Sequence, residues 1–238
     1  MPPVRGELRY WLELARLLVD RRFLSVKPAG EALPVLLIPG FMAGDASLTA
    51  LAGWLRRRGH SVGGSGMLIN VGCAGRELAR LEERLDEFDG PVIVIGQSRG
   101  GTLARALAAG HSEKVAGLVT LGSPVLDPLA VSPSVMRTVR SVARLGDLGM
   151  PGVFSSDCMD GGCCADFNAL IRDPLGPGMP TLAVHSRSDG IVDWRACLDP
   201  YARCVEIDGS HCGMAVNPAV YGELESVLQQ TEETLCRQ

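Results

Sequence analysis

The 238-residue chain lacks any apolar run of the roughly 18–20 residues that a membrane span needs. No secretory leader is expected at its start, because Arg5, Glu7, Arg9, Glu13 and Arg16 interrupt what would have to be its apolar segment. Read at face value, the chain is expected to stay in the cytoplasm. Lysine is nearly absent: of 23 Lys and Arg side chains only Lys27 and Lys114 are lysine. That reads as a genomic bias, not as a binding device. The net charge is −4, so there is no cationic excess to hold a phosphate backbone, and no nucleic-acid partner is expected. No paired CxxC spacing and no internal repeat occur.

Cysteine, by contrast, is abundant, with eight residues: Cys73, Cys158, Cys163, Cys164, Cys197, Cys204, Cys212 and Cys236. A chain that is 46% hydrophobic and 21% charged can build a core without disulfides. In a reducing cytosol the cysteines would stay thiols. Cys158 lies near the Cys163–Cys164 pair, but vicinal cysteines make a poor tetrahedral corner, so no metal and no cofactor are expected. If Cys158, Cys163 or Cys164 forms a bridge, reductant should loosen residues 150–170.

The chain alternates apolar strands with amphipathic helices. Strands are expected at 34–40, 61–69, 91–96, 115–121, 180–185 and 203–207. Helices are expected at 46–58, 74–88, 99–110 and most of 215–236. This alternation predicts an α/β fold, with a mostly parallel central sheet covered by helices on both faces. Such sheets bind ligands outside the carboxyl ends of their strands. Residues 34–124 and 179–238 form this core. Residues 1–33 are an N-terminal helical extension. Its helix at 7–19 carries a stripe of Leu8, Trp11, Leu12, Ala15, Leu18 and Val19, expected to pack on the main core. Residues 125–178 hold no strand. They are read as a cap or lid insertion, partly helical at 134–145 and 163–172.

Gly96-Gln97-Ser98-Arg99-Gly100 matches G-x-S-x-G, a pattern common by chance. Its context gives it weight, because it follows a buried strand and opens a helix. That strand–turn–helix is a nucleophile elbow, in which the turn lifts the serine hydroxyl above the sheet. A serine needs a base. His60 and His111 sit near helix ends, where solvated or capping histidines are common. His185 lies within a strand and suits a satisfied core position. His211, in the glycine-flanked loop after the last strand, is the candidate base. The acid should come from the loop after 180–185. Asp189 sits in the turn before Gly190 and is preferred, while Asp193 precedes Trp194 and suits a helix cap. An oxyanion hole would combine the amides of Arg99 and Phe41. Met42 and Gln97 are candidate substrate-binding residues.

Together, Pro39-Gly40-Phe41, Gly96 to Gly101, Ser188-Asp189-Gly190 and Gly209-Ser210-His211 resemble the α/β-hydrolase superfamily. Within it they are similar to bacterial esterases and lipases with a Pro-Gly-Phe-type oxyanion loop. The resemblance spans about residues 34 to 236. It implies a serine hydrolase that cleaves small-molecule or lipid-like esters through Ser98, His211 and Asp189 and an acyl-enzyme. It also implies that residues 125–178 shape the acyl or alcohol pocket. Arg99 departs from the neighbour usual in the family, but only its backbone is needed. A thioesterase or acyltransferase would use the same residues, and a non-catalytic binding module would use the same fold.

Overall fold

The computed structural model describes residues 2–26, 28–160 and 162–237. Six strands form one wholly parallel sheet: β1 (Pro34–Ile38), β2 (Ser61–Gly64), β3 (Val92–Gln97), β4 (Val115–Leu121), β5 (Thr181–His185) and β6 (Arg203–Glu206). Their order is β2-β1-β3-β4-β5-β6. The chain moves outward from β1 to β2, then crosses back to β3. The loops after β1 and β3 therefore diverge at a switch point, which is where a parallel sheet opens a crevice.

Both faces of the sheet are buried, so the central strands read as unbroken apolar runs. Side chains alternate across the pleat. Val35, Leu37, Ile93, Ile95, Val119 and Leu121 enter one core, and Leu36, Ile38, Val92, Val94 and Leu118 enter the other. The described residues form nine α-helices: α1 (Tyr10–Val19), α2 (Arg21–Leu24), α3 (Thr49–Arg57), α4 (Ala74–Asp86), α5 (Arg99–Gly110), α6 (Pro133–Asp147), α7 (Ser156–Asp160), α8 (Ala165–Leu170) and α9 (Pro218–Leu235). Helices α1, α3 and α9 cover the first face through Leu17, Trp54 and Leu224. Helices α4, α5 and α8 cover the second through Leu81, Leu103 and Phe167.

Helix α5 and strand β4 occupy the residues that their periodicity predicts. Strand β2 stops at Gly64, short of the expected 69. Here the Asp45 carboxylate accepts from the Ser65 and Gly66 amides and takes them out of the ladder. The stretch between β4 and β5 carries three helices. Of these, the five-residue α7 is too short to show a period in sequence.

Helix α1 covers residues 10–19 of the expected 7–19, with a 3-10 helix at Val4–Arg9 before it, and it is turned over. Leu8, Trp11, Leu12, Leu18 and Val19 are exposed, and Glu13 and Leu17 face inward. The reason is that Glu13 finds buried amide and hydroxyl donors on the core side, described below. His60 also departs from expectation. It is buried, and its Nδ1 accepts from the Leu33 amide at 3.2 Å. Burial holds its pKa below the ordinary histidine value. His185 is buried and stacked on Trp194, as a core histidine should be. Its Nδ1, however, has no partner among the described residues.

Candidate active site

Strand β3 ends at Gln97 and α5 begins at Arg99, so Ser98 alone makes the turn. Its φ of 53° and ψ of −126° lie where side chains are rarely found. The flanking glycines permit this turn. A Cβ on Gly96 would come within 2.3 Å of the Gly100 carbonyl oxygen. One on Gly100 would come equally close to the Ile38 oxygen. The Ser98 amide donates to the Leu121 carbonyl at 2.8 Å, which pins the turn to β4.

His211 sits in the loop after β6 and is 4% exposed. Its Nδ1 is 2.6 Å from Asp189 Oδ2. The other oxygen of Asp189 accepts from the Ile191 and Val192 amides, each at 2.8 Å. The carboxylate is thus held on both sides and aimed at the imidazole. Asp193 is directed elsewhere, because it caps the 3-10 turn at Trp194–Cys197 through the Arg195 amide. His111 is paired with Glu82 and Glu113 at the surface.

Phe41 and Met42 follow β1, and Met42 has a φ of 58°. This is the second strained non-glycine residue among those described, and it too lies at the site. Gly40 is pressed against the nucleophile, since a Cβ there would stand 3.2 Å from Ser98 Cβ. Among the described residues, neither the Phe41 nor the Arg99 amide donates a hydrogen bond within the protein. Ser98, His211, Phe41 and Arg99 all border one cavity of about 640 Å³. Its far wall comes from the stretch between β4 and β5, including Val135, Val139, Phe154 and Phe167. Met42 stands half exposed at its edge. Gln97 also borders the cavity, but its Nε2 donates to the His211 carbonyl at 3.1 Å and so steadies the histidine loop.

Three residues that hold this arrangement escape sequence reading. Glu7 accepts from the Gly190 amide at 3.1 Å and from the Cys212 amide at 2.9 Å, so one carboxylate bridges the acid and histidine loops. Glu13, 3% exposed, accepts from the Ser210 amide at 2.7 Å and from its hydroxyl at 2.5 Å. Asn70, wholly buried, donates to the Pro39 carbonyl and accepts from the Arg99 guanidinium, joining the oxyanion-side loop to the elbow. The only sequence signal for the two glutamates is that they interrupt an apolar helix.

A parallel sheet with a strained serine elbow, and a carboxylate-paired histidine after the last strand, defines a class. The chain has the α/β-hydrolase fold. The family model described as alpha/beta hydrolase fold matches residues 88–157, which contain the elbow. Several solved structures share the architecture at low identity, and in fold the chain is lipase- and esterase-like. The mature form of a Bacillus licheniformis lipase superposes with a TM-score of 0.63 at 15% identity, covering 85% of this chain and 94% of the lipase. A metagenomic carboxyl esterase gives 0.64 at 12% identity, covering 98% and 93%. A soluble variant of monoglyceride lipase from Saccharomyces cerevisiae gives 0.59 at 16%, covering 85% and 88%. No curated protein sequence matches the chain. Among the described residues no helix is long and apolar enough to cross a membrane.

Proposed function

We propose that the protein is a serine carboxylesterase acting on small esters with an apolar acyl part. The observation that carries this reading is the convergence of a strained, accessible Ser98 and an Asp189-paired His211 on one largely apolar cavity. Its volume of about 640 Å³ lies within the usual range for small-molecule sites.

The chemistry runs in two steps. Ser98 Oγ attacks the ester carbonyl while His211 Nε2 takes its proton. The Phe41 and Arg99 amides hold the oxyanion. His211 then protonates the departing alcohol, leaving an acyl-Ser98. Water, deprotonated by His211, attacks that acyl group, and the serine recovers its proton as the acid leaves. Asp189 stabilises the imidazolium and fixes the tautomer throughout. Residues 125–178 act as a cap whose Val135, Val139 and Phe154 meet the acyl chain.

A fluorophosphonate probe tests the nucleophile. One label per chain is expected on the wild type and none on Ser98→Ala, with p-nitrophenyl butyrate turnover lost in parallel. A folded wild type that neither labels nor turns over would move the binding-module reading to the front.

Glu13 is a positioning residue in this scheme. Glu13→Ala removes the acceptor for both Ser210 donors, one residue from the base. A misplacement of about 1 Å can lower rates about 100-fold. The expected result is a kcat reduced by about 10- to 100-fold, with KM changed by no more than about threefold. A loss confined to KM would assign Glu13 to substrate binding instead.

A further inference from the structure

Four of the eight cysteines meet at one point. Cys73 precedes the first residue of α4, Cys158 lies on α7, and Cys163 and Cys164 precede α8. Their sulfurs all lie within 4.8 Å of one another. Cys73 Sγ is 3.6 Å from Cys163 Sγ and 3.5 Å from Cys164 Sγ. Cys163 Sγ is 3.7 Å from Cys164 Sγ and 3.1 Å from Cys158 Sγ. A tetrahedral zinc with Zn–S bonds of about 2.3 Å places its sulfurs about 3.8 Å apart. Cys73, Cys163 and Cys164 are thus spaced close to one face of that tetrahedron, with Cys158 within 4.8 Å of all three.

We propose that Cys73, Cys158, Cys163 and Cys164 form a structural tetrathiolate site for zinc. The sequence argues against it because Cys163 and Cys164 are adjacent. The structure answers this by splaying the two side chains until their sulfurs stand a tetrahedral edge apart. The fourth ligand, Cys73, lies 85 residues before Cys158 and belongs to no local motif. Two disulfides, Cys158–Cys163 and Cys73–Cys164, would need a four-electron oxidation, whereas one ion takes all four sulfurs as thiolates with no oxidant. Cys197, Cys204, Cys212 and Cys236 stand outside the group.

The surroundings suit a negatively charged centre. Cys73 is the N-cap residue of α4 and so stands at the positive end of that helix. The Arg99 guanidinium lies within Coulombic reach of Cys73, Cys158 and Cys164. Cys73 and Cys164 are buried while Cys163 is exposed. A cleft of about 700 Å³, bordered by Cys73, Cys158 and Cys163, gives an ion its way in.

Binding forms four Zn–S bonds and releases four thiol protons to water, with no change of oxidation state. The centre goes from +2 for the free ion to −2. Four protein ligands leave no open position, so the ion is structural and takes no part in hydrolysis. Its effect is mechanical: it joins α7 and the turn before α8 to the start of α4. Because Cys158 and Cys164 also border the main cavity, the ion fixes one wall of it.

The test is elemental analysis of protein expressed in zinc-supplemented medium and purified with reductant but without chelator. About one zinc per chain is expected. Cys236→Ser should keep it, and Cys73→Ser and Cys163→Ser should lower it by at least about tenfold. Should a variant fail to fold, cobalt(II) titration of metal-free wild type gives the same information. The intense d–d and thiolate charge-transfer bands of a tetrahedral S4 centre are then expected at one equivalent. Metal-free protein that binds no cobalt would overturn the proposal. So would a Cys158–Cys163 disulfide that persists in the presence of zinc and reductant, or full zinc retention in both cluster variants. Each readout is independent of esterase activity.

Discussion

Asp189→Asn is expected to lower kcat for ester hydrolysis by about 10^4-fold with little loss of fold, by the tautomer argument established for serine proteases. Asp189 Oδ2 receives the Nδ1 proton of His211 at 2.6 Å. An asparagine can keep the two amide bonds from Ile191 and Val192 through its own oxygen. It then offers an N–H to the imidazole where the carboxylate offered an acceptor. Nδ1 becomes the acceptor and Nε2 carries the proton, so the ring cannot take one from Ser98. Asp193→Asn makes the informative comparison. Its oxygen caps the turn at Trp194 through the Arg195 amide, and asparagine caps almost as well. Its kcat should stay within about threefold of wild type. Steady-state kinetics on p-nitrophenyl butyrate, with melting curves as a folding check, decide between the two carboxylates. A large loss at Asp193 with none at Asp189 would reverse the assignment.

The difference between these two aspartates shows how far sequence carries. Both stand within one loop, and residue type alone leaves both eligible. Asp189 is preferred because it precedes Gly190 in a turn, a local steric argument of the kind a sequence does contain. The elbow is legible for the same reason: Gly96 and Gly100 are demanded by backbone atoms a few residues away or in the adjacent strand. Glu7, Glu13 and Cys73 work differently. Their partners lie at Cys212, Ser210 and Cys163, far along the chain, and no spacing encodes such meetings. Helix α1 shows the consequence. Its period is read correctly and its face incorrectly, because apolar periodicity says which residues share a side, not which side the core takes. Two carboxylates with amide partners on the inner side outweigh the stripe, and Trp11 and Leu12 are left in solvent. The same helix thereby becomes part of the site, since it carries Glu13 to the histidine loop.

The stability of that site rests on a second buried charge. Arg105, two turns along α5 from Ser98, donates through Nε to Asp199 at 2.7 Å and through Nη2 to the Asp173 carbonyl at 2.6 Å. The two side chains are 1% and 2% exposed. The second oxygen of Asp199 accepts from the Tyr201 amide at 2.9 Å. One guanidinium thus ties the elbow helix to the end of the β4–β5 stretch and to the β5–β6 loop. Replacing Asp199 by Leu leaves that guanidinium buried without its counter-ion. The expected cost is about 3–5 kcal/mol, the usual penalty for breaking such a pair from one side. In a chain of this size that lowers the melting temperature by about 6–20 °C. The double variant Arg105→Met with Asp199→Leu removes both charges together. Among the described residues Arg105 Nη1 already lacks a partner, so the native pair is not fully compensated for its desolvation. The double variant is therefore expected to recover most of the loss, to within about 1.5 kcal/mol of wild type. Urea titrations of the wild type, both single variants and the double variant complete the cycle. Additive losses in the double variant would mean that the two side chains act through separate contacts. A cost below about 1 kcal/mol for Asp199→Leu would mean that Asp173 and water already satisfy Arg105. In either case the anchoring of α5 would have to be sought in its apolar face, at Leu103 and Leu107.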